Sequence, residues 1–218
     1  MVAVKTLIVG ANGKIGKHLV RKIVEGGHEA RAMIRKEEQA PYFEDLGAET
    51  AIIDLEDSVD EIRKAAEGVD AVVFTAGSGP NTGKDKTILI DLDGAVKTVE
   101  AAQAAGVERF VLVSSFDTSR EAIQESPSSF SPYVVAKHYA DKALRDSGLQ
   151  YTIVHPGILT NEEATGKVDA AEVVNRGEVP REDVAEVLFQ TLQTDSTIGK
   201  EFQVVGGETP IHKAVQSI

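Results

Sequence analysis

Short apolar runs rich in β-branched residues recur along this chain, each followed by a longer segment of helical period, and this alternation limits the fold more than any other feature. The runs are "KTLIVG", "EARAMI", "ETAIID", "AVVFTAG", "RFVLVSS", "YTIVHPG" and "EFQVVGG". Each reads as a strand of about five residues. Their near-continuous hydrophobicity is what strands covered on both faces require, as in a parallel sheet. The segments between them read as helices. In 14–25, Ile15, Leu19, Ile23 and Val24 recur at helical spacing and "GG" ends the run; in 58–67, Ser58 and Glu61 have capping-box spacing; 87–105 is rich in Ala and Val and stops at Gly106. In "SPYVVAKHYADKALRDSG", Ser131 is placed to cap, Pro132 to take the first helical position and Gly148 to stop the helix. "PREDVAEVLFQTLQ" opens with Pro180 and with acidic residues suited to the positive end of a helix. Strand, helix, strand, repeated, demands right-handed crossovers and gives an α/β fold, a doubly wound parallel sheet of about seven strands in three αβα layers. The stretch 158–179, "ILTNEEATGKVDAAEVVNRGEV", reads as a loop over the carboxyl ends of the strands. No linker divides the 218 residues, so one domain is expected over 1–218, with a short substrate-side segment from about 156.

Composition narrows the chemistry. There is no cysteine, which excludes disulfides and thiolate metal sites, and the five histidines, at 18, 28, 138, 155 and 212, show no ligand spacing, so no metal is expected. The start "MVAVKTLIVG" lacks a secretory core and no stretch has the length of a bilayer span, which predicts a cytoplasmic protein with no membrane partner. A net charge of −12 repels phosphate backbones and anionic membrane surfaces, so nucleic acid is not an expected partner. A small anion remains open, because a local cluster of donors decides that.

The first strand-to-helix turn, "GANGKIG", carries Gly10, Gly13 and Gly16. In a doubly wound sheet this turn lies at the switch point, where ligands bind. Gly10 allows the tight turn, Gly13 lets the backbone approach a diphosphate, and Gly16 lets the helix pack closely on the strand, while amides at the helix start face the phosphates. The spacing is G-x-x-G-x-x-G rather than G-x-G-x-x-G. At the tip of the second strand, "RAMIRKEEQ" supplies Arg35 and Lys36 where an NAD site commonly has a carboxylate for the ribose hydroxyls. A forked guanidinium suits a 2′-phosphate, so NADP(H) is preferred over NAD(H); Glu37 and Glu38 leave open a plain solvated loop. After the third strand, Asp54 is a candidate acceptor for the adenine amino group with Leu55 against the ring, or else a turn residue before the Ser58 cap. The small residues of "FTAGSG" leave room for the ribose and nicotinamide.

"YVVAK" places Tyr133 and Lys137 four apart, hence on one helix face. A tyrosine can exchange the proton that accompanies hydride transfer at a carbonyl, and a neighbouring ammonium favours its phenolate. The pair also has a bland reading as two exposed helix residues.

Taken with "DLDGAVKTVEAAQAAGVERFVLVSS", "YVVAKHYADKALRDSGLQYTIVHPGILT" and the closing "VVGGETPI", these motifs resemble the atypical short-chain dehydrogenase/reductase superfamily, a Rossmann-fold group, and within it the small NAD(P)H-binding, NmrA-like and epimerase/dehydratase-like members. The resemblance covers essentially the whole chain. It implies cofactor contacts through Gly10, Asn12, Gly13, Lys14, Ile15 and Gly16, through Arg35 and Asp54 with Leu55, through the backbone of Ala76 and Gly77, and near Pro156. It also implies Tyr133 as acid/base and Lys137 as ribose ligand. Where nucleotide-sugar enzymes of this group carry a serine or threonine after the fifth strand, the sequence has Phe116, between Ser114–Ser115 and Thr118; Ser115 is the expected substitute, and His155 stands where relatives often carry Arg.

Three functions fit. The first is an oxidoreductase moving hydride between NADPH and a small carbonyl, quinone or flavin-type substrate, with Tyr133, Lys137 and Ser115 at its centre. The second is a non-catalytic NADP(H) sensor with a protein partner, which Phe116 favours. The third is an epimerase or dehydratase that recycles its cofactor, although only about 60 residues follow Pro156 to build a nucleotide-sugar pocket.

Overall fold

The computed structural model describes residues 3–79 and 82–218. In chain order the strands are β1 (Lys5–Val9), β2 (Glu29–Ile34), β3 (Glu49–Ile52), β4 (Ala71–Phe74), β5 (Arg109–Val113), β6 (Gln150–Pro156), β7 (Ile158–Thr160), β8 (Lys167–Ala171), β9 (Glu178–Pro180), β10 (Lys200–Gly206) and β11 (Thr209–Pro210). The helices are α1 (Lys14–Glu25), α2 (Ala40–Asp45), α3 (Val59–Ala66), α4 (Lys84–Lys86), α5 (Gly94–Ala105), α6 (Arg120–Glu125), α7 (Ser131–Asp146), α8 (Arg181–Leu192) and α9 (Ile211–Gln216). A π-helical stretch, Thr87–Asp93, leads into α5.

All seven apolar runs are strands, and they pair in parallel in the order β3-β2-β1-β4-β5-β6-β10. Alternate residues point to opposite faces, and both faces are covered. Leu7, Val9, Val72, Phe74, Phe110 and Leu112 join one core with α3, α5 and α7, whereas Ile8, Val73, Val111 and Val113 join the other with α1, α8 and α9. Leu7, Ile8 and Val9 are wholly buried, each contributing roughly 1.5–3 kcal/mol by transfer from water. This double burial is why the runs lack the two-residue alternation of one-sided sheets.

The structure corrects several expectations. The sheet has nine strands, not about seven, because β8 adds antiparallel to β10 and β11 adds antiparallel to β8. The stretch 158–179 is therefore not a loop: it holds β7 and β9, which pair in parallel as a separate ribbon, and β8 between them. "KVDAA" is too polar to announce a strand, and its partner on β10 decides the matter. Helices α2, α6 and α9 each have only six residues, too few to show a period. Residues 87–93 are π-helical, not α-helical. Ser131 is itself the first residue of α7, flanked by Phe130, and its side chain caps nothing. Ser58 does accept the Glu61 amide, at 3.3 Å, but the Glu61 carboxylate turns to Lys64, leaving the capping box half made.

No helix among the described residues is long and apolar enough to cross a membrane. Gly10, Arg35, Ala76, Ser115 and Gly157 follow the carboxyl ends of five parallel strands, and α1 begins at the same edge.

Candidate active site

The glycine turn is shaped by close backbone approach. Gly10 has φ +85°, and a Cβ there would stand 2.6 Å from the Ala76 nitrogen, so the turn after β1 rests directly on the segment after β4. Thr75 Oγ1 fastens the two by donating to the Val9 carbonyl at 3.1 Å and the Gly10 carbonyl at 3.3 Å. A side chain at Gly16 would collide with the Gly10 carbonyl and with Ala11, which binds α1 tightly to the turn. Gly13 differs, because it is exposed and meets only the Gly10 oxygen. It is the N-cap of α1 and no side chain caps that helix. The amides of Lys14, Ile15 and Gly16 consequently have no acceptor among the described residues, and an anion is the partner such a helix start lacks. Asn12 and Lys14 are exposed beside them, and Ile15 is buried under α1.

Arg35 and Lys36 stand exposed just beyond β2, and no carboxylate lies within 4.0 Å of either among the described residues. Asp54 builds a turn: its Oδ1 accepts the Glu56 amide at 3.1 Å while its own amide donates to Asp57 at 2.9 Å. Leu55 is buried in the core between α3 and α5, packed over Gly94. The turn reading of Asp54 is thus realised, with its second oxygen left over, and Leu55 is spent mainly on packing.

Tyr133 and Lys137 share the face of α7 that meets the π-helical stretch. Lys137 is only 3% exposed; its ammonium donates to the Val113 carbonyl at 3.1 Å and lies 3.8 Å from Asp91 Oδ1. The same ammonium is 5.9 Å from the centre of the Tyr133 ring, and the exposed Phe130 ring packs on Tyr133 at 5.2 Å. The bland reading of the pair as exposed helix residues does not hold for Lys137. Asp91 escaped the sequence reading. It is buried, accepts the Ser78 amide at 3.0 Å, and would meet a Cβ on Gly77 at 3.2 Å, so it ties the Gly77–Ser78 segment to Lys137. Its signal was a carboxylate at the end of the apolar run Ile88–Ile90 in a helical stretch.

Of the hydroxyls after β5, two are committed. Ser114 and Thr118 donate to Asp141 Oδ2 at 2.8 and 2.7 Å. Only Ser115 keeps a half-buried hydroxyl without a partner among the described residues, and its carbonyl accepts His155 Nδ1–H at 2.7 Å. Phe116 turns to the far side of α7, its ring under the Arg176 guanidinium and its carbonyl held by Gln203 at 2.9 Å. Pro156 ends β6, buried opposite Val204, and leads through Gly157 into β7.

The far flank of α7 faces a cavity of about 890 Å³, lined among others by Phe116, His138, Arg145, His155, Glu201 and Gln203. Arg145, Glu201 and His155 are matched to one another, whereas Asp117, Glu172 and Lys200 line it without an ion pair among the described residues. Arg145 pairs with Glu201, which lies 3.3 Å from His155 Nε2. Burial alone would lower the His155 pKa, but Glu201, Asp141 and the Ser115 carbonyl outweigh it and raise the value. Burial would raise Glu201, yet His155 and Arg145 bring it down to about 2. Asp141, fully buried, is pushed up by desolvation. The cavity thus borders the His138 and Arg145 flank of α7, and the unpartnered hydroxyl of Tyr133 lies on its other flank.

A doubly wound parallel sheet with an uncapped helix start at its switch point defines a dinucleotide-binding α/β protein. Residues 10–195 match the family described as NAD(P)H-binding, and the chain belongs to that family. It is 48% identical to a Bacillus subtilis protein named an uncharacterized sugar epimerase, YhfK, covering 98% of this chain and all of the relative. A solved structure from Bacillus halodurans, provisionally named an NAD-dependent epimerase/dehydratase, superposes with a TM-score of 0.93 at 44% identity over 99% of this chain and 100% of that one. The oxidoreductase ylbE of Lactococcus lactis gives a TM-score of 0.89 at 33% identity, covering 99% and 96%.

Proposed function

We propose that this protein is an NADPH-dependent oxidoreductase acting on a small carbonyl, quinone or flavin-type substrate, with Tyr133 as its acid/base. The observation that carries this reading is the buried Lys137, an ammonium held beneath Tyr133 by the Val113 carbonyl and the buried Asp91. The cofactor would be held by the amides after Gly13, by Asn12, Lys14 and Gly16 around the turn, by Ala76, Gly77 and Pro156 along the cleft, and by Arg35 at the 2′-phosphate. Asp54 would reach the adenine edge with its free oxygen, and Leu55 would offer at most a buried rim. When bound, the nicotinamide supplies or accepts the hydride. The protein's share is the proton: in reduction, Tyr133 Oη gives it to the substrate oxygen, which Ser115 Oγ orients, and the Lys137 charge favours the phenolate that remains. The planar rings of Phe130 and Tyr133 at the mouth suit a flat substrate.

A cofactor-recycling epimerase is the second reading, favoured by the names of two relatives. Titration with NADPH followed by a panel of quinones, flavins and aldehydes tests the reductase reading. Reductase action predicts loss of NADPH absorbance in the parent, and none in a Tyr133→Phe variant that still binds the cofactor. Binding without consumption by any acceptor, unchanged in Tyr133→Phe, would count against an enzyme of this kind and favour a sensor.

A further inference from the structure

Helices α1 and α8 pack side by side, and ion pairs one turn apart fix their register: His18 lies 3.8 Å from Glu182, and Lys22 lies 3.0 Å from Glu186. The helices therefore run parallel and start together at the carboxyl edge of the sheet. Each begins with a cation, Lys14 on α1 and Arg181 on α8. Both are aimed at one neutral atom. Lys14 Nζ donates to Asn161 Oδ1 at 3.2 Å, and an Arg181 guanidinium N–H donates to the same oxygen at 2.9 Å. Among the described residues no carboxylate lies within 4.0 Å of either cation, although the chain has 35 acidic side chains and Glu162 and Glu163 directly follow Asn161. Lys22, two turns further along the same helix, has two carboxylates.

The ribbon of β7 and β9 is what brings these residues together. Thr160 is registered against Pro180, so the next residue of each strand, Asn161 and Arg181, emerges beside the other. Two like charges converging on a single amide dipole repel one another, and an ionised oxygen between them removes that penalty. The first-turn amides of α1 lie immediately beneath Lys14.

We infer that Lys14 and Arg181 form a clamp for the diphosphate of the dinucleotide, the Asn161 amide oxygen occupying the place of a phosphoryl oxygen and yielding it when the cofactor binds. This rests on the dinucleotide reading and adds to it a residue from the segment beyond Pro156. Cofactor binding then also fixes the β7–β9 ribbon against the glycine turn, closing that side of the cleft.

The test is calorimetric titration of the full-length protein with both NADPH and NADH, at low and high salt. Both dinucleotides contain the diphosphate and only one has the 2′-phosphate. Arg181→Ala and Lys14→Gln should weaken NADPH and NADH by the same factor, about 10- to 100-fold, and the loss should shrink as salt screens the charges. Arg35→Ala should weaken NADPH alone. Arg181→Ala binding both dinucleotides within about twofold of the parent overturns the clamp and points instead to an anion on the substrate. A parent that binds neither removes the dinucleotide reading itself, which is a distinct result. Should Arg181→Ala fail to fold, the exposed Lys14→Gln variant carries the same expectation.

Discussion

The two flanks of α7 are both polar, and they treat their polar groups in opposite ways. On the far flank Asp141 takes two hydroxyls, Glu201 takes Arg145 and His155, and Gln203 takes the Phe116 carbonyl, so most of the binding capacity is consumed within the protein. On the near flank the hydroxyls of Tyr133 and Ser115 have no protein partner among the described residues, and neither do the first amides of α1, which open at the same carboxyl edge from the other face of the sheet. A cluster of unpartnered polar groups beside a cleft is open to a ligand, whereas a network bonded mostly to itself serves structure, although each flank also keeps one buried carboxylate oxygen without a hydrogen-bond partner among the described residues, Asp91 Oδ1 on the near side and Asp141 Oδ1 on the far side. The presence of a cavity is a poorer guide, since one of about 890 Å³ borders the far flank.

The sharpest break would come from Tyr133→Phe. Turnover should fall by about 10²- to 10⁴-fold while NADPH affinity stays within about twofold, read from steady-state rates and titration. Ser115→Ala should follow, costing about 10²-fold if its hydroxyl orients the substrate oxygen. On the other flank the expected losses are of stability. Asp141→Ala strands two buried hydroxyls at about 1–3 kcal/mol each by urea denaturation, and Asp141→Asn, which keeps an acceptor, should lose less.

The pH dependence of that stability sharpens the contrast. Glu201, moved from 4.5 to about 2, contributes stability that is complete above pH 4.5 and is lost as pH falls toward 2. His155, raised above 6.5, contributes stability that is complete below pH 6.5 and is lost as pH climbs through its higher folded value. Glu201→Gln should flatten the acid limb and bring the His155 titration down, since burial is then less opposed; proton NMR of the imidazole reads this directly. The smallest effect belongs to Phe116→Ala, whose ring packs under Arg176 and lines the far cavity: turnover should stay within about twofold, with a modest stability loss from the Arg176 contact. A large drop in turnover there would dissolve the distinction between the flanks.

Much of the near flank was legible beforehand, because its determinants are local in sequence. Gly10, Gly13 and Gly16 act within one turn, and Tyr133 and Lys137 share a face by helical spacing alone. Asp91 and Arg181 were not legible. Asp91 matters because α7 packs on the π-helical stretch and delivers Lys137 to it, and Arg181 matters because a three-residue ribbon sets it beside Asn161.

The sequence by itself determined the seven parallel strands, the helices between the longer runs and the glycine turn, since double burial and backbone freedom are imposed residue by residue. Only the tertiary structure decided that Ser114 and Thr118 serve Asp141 while Ser115 stays free, that Phe116 faces the far cavity, and that β8 and β11 extend the sheet. Those outcomes depend on partners many residues away, and a hydrogen-bond acceptor or a strand edge acquires its meaning from what the fold sets opposite it.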